Sequence, residues 1–274
     1  MEIDVNELFF WEPIALEGTL FEINRVVLLM MLASILCMGF FLLGSRRGSL
    51  VPKGIQNLAE TGYLFVRDAI AIDVIGPKDG LRFAPYLASV FFFIFVCNLL
   101  EIVPGINFPV TSRMAIPAFL SLLTYLIFNF VGFKRQGIRY LKDTLFPPGV
   151  PWPIYVVLTP IEFFSVFIIR PLTLAVRLLA NMMAGHVLLT IFFLFSADFV
   201  APEISLPLGI VTALLAAVLI VFELLVITIQ AYIFTLLSAF YIAEAVHGHG
   251  EADTEISTHH EVEHETEGIE ARAA

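Results

Sequence analysis

Apolar residues dominate this chain in five long runs, which are separated by shorter polar segments. A helix of about 20 residues is long enough to cross the hydrocarbon core of a bilayer. Three runs have about that length and two are much longer; the five cover residues 26–43, 83–103, 115–133, 153–197 and 206–246. The pattern predicts an all-α polytopic membrane protein with about five membrane helices.

The last two runs are too long for perpendicular spans. As a helix, residues 153–197 extend for about 67 Å, roughly twice the hydrocarbon thickness. No charged or glycine-rich break divides this run, although Pro171 permits a kink. We therefore expect a long, steeply tilted antiparallel hairpin that turns within residues 202–207.

Composition supports lipid as the main solvent of the chain. Of its 274 residues, 59% are hydrophobic and only 15% are charged, whereas soluble domains are about a quarter charged. Mean hydropathy is +0.90. Cys37 and Cys97 lie inside apolar runs, so we interpret them as small buried hydrophobic residues and not as a disulfide framework.

Basic residues are distributed unevenly among the polar segments. Ten lysines and arginines lie between spans one and two or between spans three and four, whereas the opposite side holds Arg25 and Arg113. Positive charge marks the cytoplasmic side, so we predict the N-terminus outside and the C-terminus in the cytoplasm. Residues 54–72 mix polar and apolar positions in a way typical of an amphipathic helix on the inner surface.

Three regions follow from this organisation: an external N-terminal segment (1–25), a membrane domain (26–246) and a C-terminal tail (247–274). The tail holds five of the six histidines and eight acidic residues, and it accounts for much of the net charge of −10. A solvated, disordered extension is the favoured interpretation. Metal binding is the alternative, although the histidine spacing fits no structural site well, and we assign the tail no function.

Arg177 is the most informative residue because it lies near the middle of a long apolar run. A charge inside a bilayer costs about 2.5–3.5 kcal/mol on insertion scales. One interpretation is a cation that only holds helices together. We favour a functional charge that faces a carboxylate or a water-filled path. Arg170 precedes Pro171 and is expected at a kink or at the membrane interface.

The hairpin geometry groups the remaining polar residues into shared levels. If the two long helices are antiparallel, Arg177 falls level with Gln230, His186 with Glu223, and Glu162 with Glu244. Histidine ordinarily titrates near neutral pH, so a His186–Glu223 pair suits proton handling. A purely structural hydrogen bond is the alternative.

Helical angles add a second constraint. At 100° per residue, Arg177 and Asn181 share one face of their helix, whereas His186 points to the opposite side. On the last helix, four polar residues fall within about 60° of one another: Glu223, Gln230, Tyr241 and Glu244. A continuous polar stripe on a lipid-embedded helix is more typical of a pathway than of a packing motif.

These residues closely resemble subunit a of F-type, rotary ATP synthases. The resemblance rests on the run from Arg177 through Asn181 and Gly185 to His186, with Pro171 upstream and Glu223 and Gln230 downstream. The earlier run Asn98-Leu-Leu-Glu101-Ile-Val-Pro matches a second polar motif of the family. The likeness covers roughly residues 26–246.

The resemblance implies a proton-conducting stator subunit that offers two offset half-channels to a rotating ring of c subunits. Arg177 matches the arginine that faces the ring carboxylate. His186 and Glu223 correspond to the outer half-channel, with Asn181, Gln230, Asn98 and Glu101 nearby. Glu162 is expected at the cytoplasmic exit, and Tyr241 and Glu244 extend the proton path.

The partners implied are the c ring, subunit b or an equivalent peripheral stalk, the rest of the synthase and the lipid bilayer, without nucleic acid. No Gly-x-x-x-x-Gly-Lys-Ser/Thr loop occurs, so ATP chemistry must occur elsewhere in such a complex, and we expect no cofactor or metal. A bacterial plasma membrane is favoured over the mitochondrial inner membrane.

Two other classes stay open at this point. A secondary transporter is expected to show related halves, which this asymmetric layout does not suggest. A proton-translocating subunit of a redox complex would spread its buried charges over several central helices, whereas here they concentrate in one hairpin.

Overall fold

The computed structural model describes residues 24–46, 52–103, 106, 108–146, 152–200 and 206–247. Within them, five helical segments are long and apolar enough to cross a membrane, as predicted. The predicted hairpin turn, most of the N-terminal segment and almost all of the tail lie outside the described residues.

Helix α1 spans Arg25–Ser45. It begins where the Asn24 side chain accepts a hydrogen bond from the backbone N–H of Val27, at 3.1 Å, which satisfies one of the unpaired donors of the first turn. Helix α2 spans Ile55–Val66 and continues through a π-helical segment, Arg67–Ile72, to one more turn at Asp73–Ile75. The predicted amphipathic segment at 54–72 is therefore helical.

Helix α3 spans Pro77–Leu99, so the predicted span 83–103 is displaced at both ends. Proline at the first helical position starts the helix, and its first turns carry charges that a search for apolar runs leaves out. The chain leaves the helix at Leu100, so that Glu101 lies in a turn.

Helices α4 and α5 span Ala115–Gln136 and Ile138–Leu145. Gly137 separates them at φ 61°, a conformation that side chains with a Cβ rarely adopt. Helix α4 covers the predicted span 115–133 and continues for about one further turn.

The two long runs form long helical elements. Helix α6 spans Trp152–Phe164, a π-helical segment follows at Ser165–Ile169, and helix α7 spans Arg170–Val200. The π segment ends directly before Arg170 and Pro171, and its wider turn is the local irregularity associated with the proline. Helix α8 runs unbroken over 42 residues, Leu206–His247, a length of about 63 Å.

The helices pack around α8. It contacts α7 along the hairpin and also α3 and α4, and the buried cluster between them includes Ile94, Phe128, Leu178, Phe234 and Ile242. By contrast, α6 has no buried residue, and large apolar side chains remain exposed along α1, α4 and α6. Exposed apolar surface on this scale fits a lipid environment.

Candidate functional site: a polar path beside an exposed arginine

Arg177 lies on the exposed side of α7. It makes no hydrogen bond or ion pair with any other residue that the structure describes. Its exposed neighbours on the helix include Thr173, Ala180 and Ala184, which are all small. Small residues beside the guanidinium allow another helix to approach it closely.

His186 lies on the other side of the same helix, as its angular position predicts. It is 7% exposed, and its Nδ1 lies 3.6 Å from the Oε1 of Glu101, which is 2% exposed. The ring of Phe108 meets the imidazole edge to face, with centroids 6.1 Å apart. The turn after α3 therefore supplies the acid that faces the histidine.

Glu223 lies at the level of His186, but the two side chains do not form the predicted pair. The carboxyl group of Glu223 packs against Gly185, where an added Cβ would lie 2.7 Å from the Glu223 Cδ. The carboxyl group of Glu101 lies beside His186 instead, at 3.6 Å, a contact that becomes an ion pair when the imidazole is protonated. The prediction considered only the two long helices, and it missed that the turn after α3 reaches the same level.

Several buried polar atoms near this cluster have no hydrogen-bond partner among the described residues. They are Asn98 Nδ2, both carboxyl oxygens of Glu101, Glu223 Oε1 and Gln230 Nε2. The other end of the Asn98 amide accepts a hydrogen bond from the Thr111 hydroxyl. Buried polar groups are normally satisfied, and ordered water often provides the partner, so these atoms mark a site suited to water.

A small cavity lies beside the same residues. Its volume is about 20 Å³, enough for about one water molecule. Polar and apolar side chains from three parts of the chain line it, among them Glu101, His186, Thr190 and Ile220. A histidine, a carboxyl group and space for water are the components of a proton relay.

Asn181 and Gln230 lie on α7 and α8 between this buried cluster and the level of Arg177. Asn181 is half-buried on α7, one turn after Arg177. Gln230 is 5% exposed on α8, two turns from Glu223. The buried face of α8 thus carries the first part of the predicted polar stripe.

At the opposite end of the hairpin, Glu244, which was expected at the level of Glu162, pairs with Arg170. Arg170 Nη2 donates to Glu244 Oε1 at 2.9 Å, and Nη1 donates to Oε2. Both side chains are largely buried. The Arg170 guanidinium also lies 5.1 Å from the centre of the Tyr241 ring. Glu162 is half-exposed on α6.

Arg170 is the residue that the sequence reasoning missed, because we expected it at a kink or at the interface. The sequence did contain a hint of this pair. Arg170 and Arg177 are seven residues apart and therefore lie on one face of their helix, and Glu244 lies on the facing helix. Because both side chains are long and flexible, Arg170 and Glu244 can form an ion pair although they are not at the same height in the hairpin.

Tyr140 on α5 is buried near this end of the structure. Burial raises the pKa of Tyr140 to about 12, so its phenol stays neutral at physiological pH and can donate a hydrogen bond. The Gln136 side chain donates to the Ala245 carbonyl at 2.9 Å. This hydrogen bond joins the end of α8 to the end of α4.

Comparison with known proteins places these residues within a described family. The model of the family described as "ATP synthase A chain" matches residues 27–243. ATP synthase subunit a of Rhodococcus erythropolis is 41% identical over 244 residues, covering 87% of this chain and 88% of that protein. The subunit a of Parafrankia sp. is 45% identical, over 85% and 79% of the two chains, and that of Hyphomonas neptunium is 39% identical, over 80% and 85%.

Proposed function

Because this chain belongs to the ATP synthase A chain family, we propose that it couples proton flow to ring rotation through two offset half-channels that meet at Arg177. Membership makes the chain the proton-channel subunit of an F-type ATP synthase, a membrane complex of the bacterial plasma membrane that makes ATP. The chain itself has no nucleotide-binding loop.

The observation that carries the proposal is the exposure of Arg177. The guanidinium is exposed midway along α6 and α7 and has no ion-pair partner among the described residues. A charge inside a membrane is retained when it has a function. We assign its partner to another chain: the carboxylate carried by each c subunit of the ring.

The chemistry of arginine suits this role. A guanidinium stays protonated at physiological pH, so it attracts a carboxylate without passing a proton onward. Its positive charge lowers the pKa of an acid that approaches, which favours release of the proton before the carboxylate passes. A lysine loses its proton more readily when desolvated and would make a weaker barrier between the two half-channels.

The outer half-channel is assigned to the buried cluster on the other side of α7. Glu101 and His186 are in contact, Glu223 packs one residue away at Gly185, and the cavity beside them has room for water. Asn98, Asn181 and Gln230 extend this polar route toward the level of Arg177. Protons enter here from outside and reach the ring carboxylate.

The inner half-channel is assigned to the exposed side of α6 and α7, where Glu162 is half-exposed. Tyr241 and Glu244 lie at this end of α8, but the Glu244 carboxylate is paired with Arg170, so Glu162 and not Glu244 is proposed to carry the proton at the exit. In this arrangement the C-terminus is cytoplasmic and the N-terminus is outside. A peripheral stalk, subunit b or its equivalent, holds the chain still against the turning ring.

Replacing Arg177 by alanine tests the proposal directly. In inverted membrane vesicles that contain the whole synthase, Arg177→Ala should abolish ATP-driven proton pumping while the complex still assembles, because the carboxylate loses its counter-charge. Arg177→Lys is the matched control; it keeps the charge and should retain more pumping than alanine. Normal coupled pumping by the assembled alanine variant would refute the assigned role.

A further inference from the structure

Arg170 and Arg177 occupy the same face of α7. Seven residues correspond to nearly two full turns, so the two positions differ by about 20° around the axis and about 10 Å along it. A ring carboxylate that meets the Arg177 face therefore passes near two guanidinium groups, although the proposed function needs only one.

The two arginines differ sharply in their exposure and in their partners. Arg177 is exposed and has no ion pair among the described residues. Arg170 forms two parallel hydrogen bonds with the Glu244 carboxylate, and only 18% and 13% of the two side chains are exposed. Such bidentate pairing in a partly buried site is the strongest geometry available to a guanidinium. The positive charge of Arg170 is therefore neutralised within the chain.

Tyr241 fixes the orientation of this pair. Its ring lies 5.1 Å from the Arg170 guanidinium carbon, within the range of a cation–π contact. The Gln136 side chain binds the carbonyl of Ala245, the residue after Glu244. Contacts from α4 and α8 thus hold Glu244 in position, so that Arg170 remains paired.

We propose that Glu244 is a positioning residue that neutralises Arg170, so that Arg177 is the single cation offered to the ring carboxylate. This inference rests on the proposed function. An unpaired Arg170 would give the carboxylate a second stable position about two turns from the first. The ring would then pause there, and each proton would be released at the wrong height.

The experiment compares Glu244→Gln with the double variant R170Q/E244Q in the whole synthase in inverted vesicles. Pumping is normalised to the amount of assembled complex, measured by the c subunit that co-purifies with this chain. Glu244→Gln should lower pumping per complex at least fivefold. The double variant, which has lost both charges, should recover to within twofold of the unaltered protein.

Three results would overturn the inference. The first is unchanged pumping per complex in Glu244→Gln. If assembly falls in that variant, the pair has only a structural role; if assembly is also unchanged, the pair has no role that the experiment detects. A double variant as impaired as the single variant would show that the ion pair itself is required. If neither variant assembles, the ion pair is required for the structure of the complex, and the inference also fails.

A second series separates this inference from the proposed function. In the R170Q/E244Q background, Arg177→Ala should still abolish pumping. If pumping continues without Arg177, the proposed function fails, whatever the effect of Glu244. If Arg177→Ala abolishes pumping while Glu244→Gln has no effect, only the further inference fails.

Discussion

Three titratable side chains meet where α7 passes the end of α3. His186 faces Glu101 at 3.6 Å, and Glu223 packs against the adjacent glycine. Two carboxyl groups and an imidazole at one level interact and can share protons. When one group gives up its proton, a neighbouring group can take it, so no isolated charge has to form in the interior.

Such sharing makes each of these residues important without making it indispensable. We expect His186→Ala and Glu223→Gln each to slow ATP-driven proton pumping about tenfold, about 1.4 kcal/mol of barrier, since the remaining acids and water still form a path. Initial pumping rates in vesicles measure this. A complete loss in both variants, equal to that of Arg177→Ala, would indicate an obligatory relay instead.

The sequence identified the polar residues of this site but not all of their contacts. Angular position placed His186 opposite to Arg177, and the structure agrees, because one side chain is buried and the other is exposed. The pairing of His186 with Glu101 was not predictable. It depends on how a distant turn folds back on the hairpin, which no helical periodicity records.

At the scale of the elements, hydropathy predicted the long helices well. Four of the five spans agree with the observed helices to within three residues, because apolar length is what a bilayer selects. The fifth, α3, was displaced since its start is set by Pro77 and its first turns are polar. The π-helical segment before Arg170 was missed, because only a kink was expected at Pro171.

The crossing of α7 and α8 gives a prediction at the same scale. In Gly185→Ala the new Cβ would lie 2.7 Å from the Glu223 Cδ, so α7 and α8 must separate or the carboxyl group must move. We expect pumping to fall several-fold while assembly persists. Gly39→Ala is the matched control, because an added Cβ there meets nothing within 4 Å; equal effects of the two changes would contradict the close contact.

For the whole molecule, the uneven distribution of positive charge predicts an orientation that can be measured. In a background with Cys37 and Cys97 replaced by serine, single cysteines are introduced at Met114 and at Lys142, two exposed positions on either side of α4. A maleimide that cannot cross membranes should label Met114→Cys in intact cells. It should label Lys142→Cys only in inverted vesicles.

The reverse labelling pattern would place the N-terminus in the cytoplasm. It would also exchange the entrance and the exit of the proposed proton route, since Glu101 lies at the Met114 end of the membrane domain and the Arg170–Glu244 pair at the other.

The unbroken course of α8 restricts how this protein can change over generations. A residue inserted between Glu223 and Glu244 would rotate everything after it by about 100°, turning Glu244 away from Arg170 while Glu223 stays at Gly185. A deletion in the same stretch would rotate the residues after it by about 100° in the opposite direction. Descendants of this gene can therefore exchange side chains within that stretch, but gains and losses of length are tolerated only beyond it.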